Sequence, residues 1–404
     1  MTDTRLNPME PAATATETSL TRRDFIVQTS AIAAAGITLG ALDDAEAAQQ
    51  PKPTADPELD IAEWSFFWLG VKRAQLARGT VINGAQAYVE YQIPAKVRHP
   101  YPIVIIHGGG GQGLDWMGTP DGRRGWSTHF LEQGYKVYVV DRPGHGRSPY
   151  HAELHGPYRP AATYENMERQ FSAPEKSPNK TVTAHLHTQW PGTTGQIGDP
   201  TVDQTAAGQG GAFLTDLPAT HAIWESLLGE LLDRIGPSIV MAHSMGGPSC
   251  WIAGNARPHL VKGILAIEPN GPPMGPLQWG VTASPMVYDP PIASPSELKT
   301  VTLPAPKPGY QACQVQAEPA RKLKNLAGIP IMLVTAEASY HVPYDWGTVA
   351  FLKQAGCNVD HVELANIGIH GNGHFMMMEK NNRDISRVLF NWLDKNVPEN
   401  SPAA

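Results

Sequence analysis

Residues 240–248 read VMAHSMGGP, a serine held between an apolar run and two glycines. A strand that turns at once into a helix lifts such a side chain out of its sheet, where Ser244 can serve as a nucleophile. The same position also suits a helix N-cap, a role serine fills well. Nucleophilic chemistry asks for more than a hydroxyl. A neutral serine attacks poorly, so an imidazole has to take its proton and a carboxylate has to orient that imidazole. Charge then develops on the former carbonyl oxygen and has to meet backbone N–H groups already in place. The chain offers a candidate for each part. The glycines of HGGGG, residues 107–111, let the backbone approach a substrate closely, with Gly109 as one donor. Met245, at the start of the next helix, supplies a second N–H. Glu268 after ILAI and Glu337 after MLVTA are the carboxylates, and IHGNGHF carries His370 and His374.

The segments that must position these groups alternate in type. YPIVIIHGGGG and GYKVYVVDRPGHGRS are short β-branched strands that run into glycine-rich turns. ATHAIWESLLGELLDRIG has apolar residues at helical spacing and stops at Gly236. There follow the strands SIVMAH, VKGILAIEP and IPIMLVTAE, the helix YDWGTVAFLKQAG, the strand DHVELA and a closing helix DISRVLFNWLDKN. VINGAQAYVEYQIP, with Asn83-Gly84 between strand-like runs, predicts a hairpin. Continuous apolar strands separated by helices predict a mostly parallel sheet covered on both faces. Functional groups of such a sheet gather at the carboxyl ends of its strands. Here those ends carry serine, acid and histidine in the chain order of an α/β-hydrolase.

Two stretches break the alternation, residues 150–218 and the proline-rich 271–325. Loops of this length serve as lids or binding loops in compact domains, so both are expected to cap one domain spanning 66–404. Trp116, Met117, Trp190, Trp279 and Tyr288 lie near enough in sequence to line a pocket, although ordinary packing explains each equally well. His185 and His187 form an HLH pair with neither a carboxylate nor a third histidine nearby; a polar loop is the better reading, and no metal site is expected.

Composition bounds the rest. The chain has 404 residues, 41% of them hydrophobic and 17% charged, which suits one large or two modest cores. Its net charge of -7 is mild and no basic stripe occurs, which excludes a nucleic-acid partner. Cys250, Cys313 and Cys357 show neither a disulfide framework nor metal spacing. Arg22-Arg23 precede a moderately apolar stretch, and AEA follows at 45–47, so residues 1–47 are expected to be a twin-arginine export signal. Residues 48–65 would then be a linker, leaving a periplasmic or secreted protein. The apolar stretch is too short for a stable membrane span. The sequence gives no reading of oligomeric state.

Taken together, HGGGGQGLDWMGTPDGRRGW, GYKVYVVDRPGHGRS, MAHSMGG, IEP and GIHGNGHFMMMEKNN resemble a small group of exported bacterial α/β-hydrolase esterases, among them the esterases that de-esterify sulfonylurea herbicides. The likeness runs from about Phe66 onward and is loose over 150–218 and 271–325. Ala242 departs from the general pattern G-x-S-x-G, but it is small enough for a tight turn. The resemblance implies a serine esterase that needs no cofactor and acts on a small-molecule ester, with His374 as the base because it matches the histidine of the group's GNxHF element. Position alone favours Glu337 slightly as the acid, since it follows the strand that most often carries it. The resemblance instead implies Glu268, because the group carries its acid in an EP element just over twenty residues beyond the serine. We therefore expect a Ser244–His374–Glu268 triad with an oxyanion hole at Gly109 and Met245. An amidase, peptidase or lactonase on the same triad, or a non-catalytic binding protein on this scaffold, are the alternatives.

Overall fold

The computed structural model describes residues 56–211 and 216–397. The expected export signal lies outside them. Eight strands form one sheet: β1 (Ile61–Leu69), β2 (Ala87–Pro94), β3 (Ile103–Ile106), β4 (Val137–Asp141), β5 (Ser238–Ser244), β6 (Val261–Pro269), β7 (Pro330–Thr335) and β8 (Asn358–Glu363). Their spatial order is β1-β2-β4-β3-β5-β6-β7-β8. β2 pairs antiparallel with β1 and β4, and every later pairing from β4 to β8 is parallel.

The central strands are apolar on both faces because both are covered. Val104, Ile106, Val240, Ala242, Ile264, Ala266, Ile331 and Leu333 point into one core, which holds Leu228, Leu231 and Leu232 of α2 (Leu217–Ile235), Trp251 of α3 (Pro248–Ala256) and Phe351 of α4 (Asp345–Gln354). The alternate residues Ile103, Ile105, Ile239, Met241, Leu265, Ile267, Met332 and Val334 point into the other, with Phe130 of α1 (Trp126–Gln133) and Leu389 of α5 (Asn382–Asn396). Trp116, Trp190, Trp279 and Tyr288 are all buried in these cores, so packing is what these four aromatic candidates do.

Two local expectations are corrected. β1 starts at Ile61, inside the stretch 48–65 expected to be a linker, because its first residues are largely exposed and carry no inward apolar pattern to mark its beginning. The runs flanking Asn83-Gly84 do not pair with each other. Gly79–Ile82 pairs with Arg73–Leu76, while Ala87–Pro94 joins the main sheet between β1 and β4, where both of its edges are satisfied.

The two long segments carry little regular structure but hold fast to the scaffold. In the first, Thr188 and Gln189 donate their N–H groups to Gly371 O at 2.9 and 3.1 Å, and Phe171 stacks on Phe375 with ring centroids 4.0 Å apart. The second contributes Met274, Leu277, Trp279 and Val281, which are buried, and a short antiparallel pair, Thr300–Leu303 with Cys313–Gln316. The three cysteines are buried and free.

The turn after β5 leaves no room for side chains. A Cβ on Gly246 would lie 2.1 Å from His107 O, a backbone atom that cannot move without breaking the β3 loop. Gly246→Ala should therefore cost about 1–3 kcal/mol through overpacking. Denaturant unfolding of the variant, read as a lowered midpoint with an unchanged slope, checks this.

Candidate active site

β5 ends at Ser244, which sits at φ +52°, and the chain reverses at once, with Gly246 N–H on His243 O and Gly247 N–H on Ser244 O, both at 2.8 Å. Pro248, at the first turn of α3, fits a position whose N–H is unpaired in any helix. Beside it, Glu268 near the end of β6 also has a left-handed backbone, φ +40°, and the β5–β6 register shifts between His243 and Ser244. Left-handed backbone at residues other than glycine is uncommon and costs energy, and here it occurs at two adjoining strand ends.

The structure brings Glu268 and His374 together. Glu268 Oε2 lies 2.5 Å from His374 Nδ1 and accepts the Ser339 hydroxyl at 2.7 Å, while Oε1 accepts Ala336 N–H at 2.8 Å. Both partners are buried. Burial pushes the Glu268 carboxyl well above its usual range, with Asp345 adding to the rise and the Ser339 and Ala336 hydrogen bonds opposing it. Burial likewise drives His374 well below an ordinary imidazole, helped by His243 and His341. A neutral ring that donates from Nδ1 to Glu268 presents Nε2 as an acceptor. The Tyr340 hydroxyl donates to that Nε2 at 3.1 Å, and the Ser244 hydroxyl interacts with the same Tyr340 oxygen. Tyr340 thus stands between Ser244 and His374, a placement the sequence did not signal.

The loop carrying His374 is held by a second buried carboxylate. Glu379 accepts Gly373 N–H at 2.9 Å, the Asn372 amide at 2.7 Å and His187 Nε2 at 2.7 Å. His187 is thereby a loop anchor. His243, buried and lowered to about 3 chiefly by that burial, bonds His374 O at 3.0 Å. The His374 ring stacks on His341 at 4.5 Å and on Phe171 at 5.7 Å.

The glycine loop after β3 is equally constrained. His107 Nδ1 donates to Gly108 O at 2.8 Å, and its Nε2 accepts Arg142 N–H at 3.0 Å. Arg142 Nη2 donates to Gly108 O at 2.9 Å and also to Gly109 O. With these carbonyls turned toward Arg142, the Gly109 and Met245 N–H groups are left without an acceptor among the described residues. Only glycine fits at 108, where a Cβ would meet Ser244 Cβ at 2.8 Å. A cavity of about 240 Å³ opens beside Gly109 and Met245. Trp116, Met117, Trp190, Trp279 and Tyr288 do not line it.

The competing candidates pair with each other. Glu337 bonds His370 Nδ1 at 3.0 Å and Gly371 N–H at 2.8 Å, and the His370 side chain is 61% exposed. One ligand-capable trio exists among the described residues: atoms of Glu268, His341 and His374 lie within 4.8 Å of one another. Within it Glu268 is engaged by His374 and Ser339, and His341 Nδ1 by Asp345 at 3.0 Å.

A model of the alpha/beta hydrolase fold matches residues 101–291. The chain is 42% identical over 341 residues to a fungal protein (Fungal sp., strain ATCC 74256) described as a probable secreted lipase, phiG; the match covers 82% of this chain and 89% of that one. A solved structure described as that of a novel bacterial esterase shares the fold at a TM-score of 0.60 and 23% identity, covering 86% of this chain and 99% of its own. On its eight-stranded sheet, its matched model and its curated relative, this chain belongs to the α/β-hydrolase fold family, with a lipase among its relatives.

Proposed function

We propose that this chain is an exported serine esterase in which Ser244, His374 and Glu268 form the triad and the N–H groups of Gly109 and Met245 form the oxyanion hole. The observation that carries the reading is the buried 2.5 Å contact between His374 Nδ1 and Glu268 Oε2, with the far ring nitrogen bonded by the Tyr340 hydroxyl that also interacts with Ser244. The probable secreted lipase among its relatives supports both ester hydrolysis and export.

In this reading Ser244 Oγ attacks the ester carbonyl while His374 Nε2 takes its proton, and Glu268 stabilises the imidazolium that forms. The oxyanion of the tetrahedral intermediate enters the position faced by the two free N–H groups, which need no rearrangement at that moment because His107 and Arg142 already hold the loop. His374 then gives its proton to the departing alcohol, leaving an acyl-serine. A water deprotonated by the same nitrogen attacks that acyl group, and the proton returns to Ser244. Tyr340, which holds Nε2 in the resting site, marks the side on which the alcohol leaves. Residues 150–218 act as a cap, and Phe171 brings part of it onto His374.

Three outcomes test the proposal. Ser244→Ala and His374→Ala should each lower turnover of a short chromogenic ester by roughly 10³-fold or more, because triad members act as a unit, and Ser244→Ala should do so without lowering thermal stability. Glu268→Gln should lose about 10⁴-fold, the scale on which a triad acid acts, while Glu337→Gln keeps most of the activity. The reverse order would reassign the acid.

The pH profile follows from His374, which must be neutral to take a proton. Because burial holds its affinity for protons well below that of an ordinary imidazole, activity should be fully developed above pH 6.5 and be lost only at lower pH. An acid limb of kcat/KM centred above 6.5 would contradict the assignment.

Export is tested separately. Replacing Arg22 and Arg23 together by Lys should leave precursor in the cytoplasm, and sequencing the secreted form should give an N-terminus close to Ala48. A mature protein that retains Arg22 would refute the signal.

A further inference from the structure

We infer that the cavity beside Gly109 and Met245 takes an acyl chain that ends in a carboxylate, so that the substrate class is the half-esters of dicarboxylic acids. This rests on the esterase reading and adds a specificity to it.

The cavity wall contains a buried cation that no carboxylate touches directly. Arg142 is only 6% exposed, and no carboxylate forms an ion pair with it among the described residues. Its Nη2 is spent on the Gly108 and Gly109 carbonyls, its Nε has no partner, and its Nη1 has no acceptor among the described residues. Burial lowers its pKa to about 10 against the opposing pull of Asp115, so it stays protonated at neutral pH. A buried charge without a directly paired carboxylate is costly, and a carboxylate brought in by a ligand lowers the cost while gaining a charge-assisted hydrogen bond.

The rest of the wall agrees. Arg159 adds a second cation, and Asp216 is the one carboxylate, with Oδ1 already accepting Ala219 N–H at 3.0 Å at the start of α2. His145 and His221 contribute no charge, since burial pushes them down to about 3 and about 4. Leu217, Trp224 and Ile252 supply apolar surface for the intervening methylenes.

The geometry also assigns the acyl side. A departing alcohol must be within reach of His374 Nε2, so it lies toward Tyr340 and Phe171. The cavity touches both proposed oxyanion donors but neither His374, Tyr340, Phe171 nor Phe375. Whatever extends from the carbonyl carbon into it is therefore the acyl chain.

The test compares methanol release from monomethyl adipate and methyl hexanoate, whose acyl chains have equal length and differ in the terminal carboxylate. The wild-type enzyme should favour the adipate by at least about tenfold in kcat/KM, the equivalent of one charge-assisted hydrogen bond. Arg142→Gln will slow both esters, because Arg142 also holds the glycine loop, but it should bring their ratio close to one. A purely structural role would leave that ratio intact. Arg159→Gln, on the surface, should lower the ratio by a smaller factor, and Asp216→Asn should raise it. Wild-type enzyme that hydrolyses hexanoate as well as adipate, or an Arg142→Gln enzyme that keeps the preference, would overturn the inference while leaving the esterase reading standing. Failure to cleave either ester or 4-nitrophenyl acetate would instead overturn the esterase reading and this inference with it.

Discussion

A carboxylate sealed from water must have its oxygens satisfied, and Glu268 does so with groups from two other parts of the chain. Ala336 and Ser339 follow β7, and His374 comes from the loop beyond β8. The left-handed backbone at Glu268 and the register shift beside Ser244 are the local strain that such convergence requires. Strain of this kind persists only where the surroundings over-determine it. Here the fixing comes from the two-sided core beneath β5, β6 and β7, together with the bond from Asn270 N–H to Ser244 O at 2.7 Å. Stability and site geometry are therefore supplied by the same atoms: loosening the sheet at this point would move Ser244 relative to His374.

The same logic repeats in the two loops that flank the serine. On one side, Glu379 gathers Asn372, Gly373 and His187, so that the short glycine-rich loop cannot drift and the His374 ring stays stacked on His341. On the other, Arg142 and His107 take up carbonyls that would otherwise face the site, which leaves N–H groups pointing free. Below this, Asp141 ties the end of β4 to Gly113 N–H at 2.5 Å and to Arg147 at 2.7 Å, so the DRPGHGRS turn that carries Arg142 is itself braced. Each brace is a buried charge or hydrogen bond, strong because it lies in a low-dielectric interior and costly if left half made.

Tyr340 shows how burial and chemistry meet. Its hydroxyl bonds His374 Nε2 and interacts with Ser244, so the resting site contains a hydrogen-bonded line from tyrosine through imidazole to carboxylate beside the serine. An arriving substrate has to displace or re-aim that hydroxyl. The cavity beside Gly109 and Met245, with Arg142 in its wall, does not include Tyr340.

Much of this was legible in the sequence, for physical reasons. Apolar runs without alternation can only be strands covered on both faces, and that pattern fixed β3 to β7, their helices and the placing of Ser244, Glu268 and His374 at strand ends. The turn glycines beside Ser244 were equally plain, because close backbone approach admits no other residue. What periodicity could not carry was the outer edge, where β1 begins among exposed residues and the Asn83-Gly84 turn signal gave way to pairing with β1 and β4. Nor could it choose between Glu268 and Glu337. Both end strands, both are glutamates, and each finds a histidine, since Glu337 pairs with His370 and Glu268 with His374. Position along the chain favours one slightly. The folded chain separates their surroundings: the β6 backbone turns Glu268 inward to a buried imidazole, while Glu337 stays with an exposed one. Arg142 and Tyr340 belong to the same category: an arginine in a glycine-rich turn and a tyrosine after a strand carry no signal by themselves. Their meaning comes from atoms more than thirty residues away that tertiary packing brings within hydrogen-bond reach.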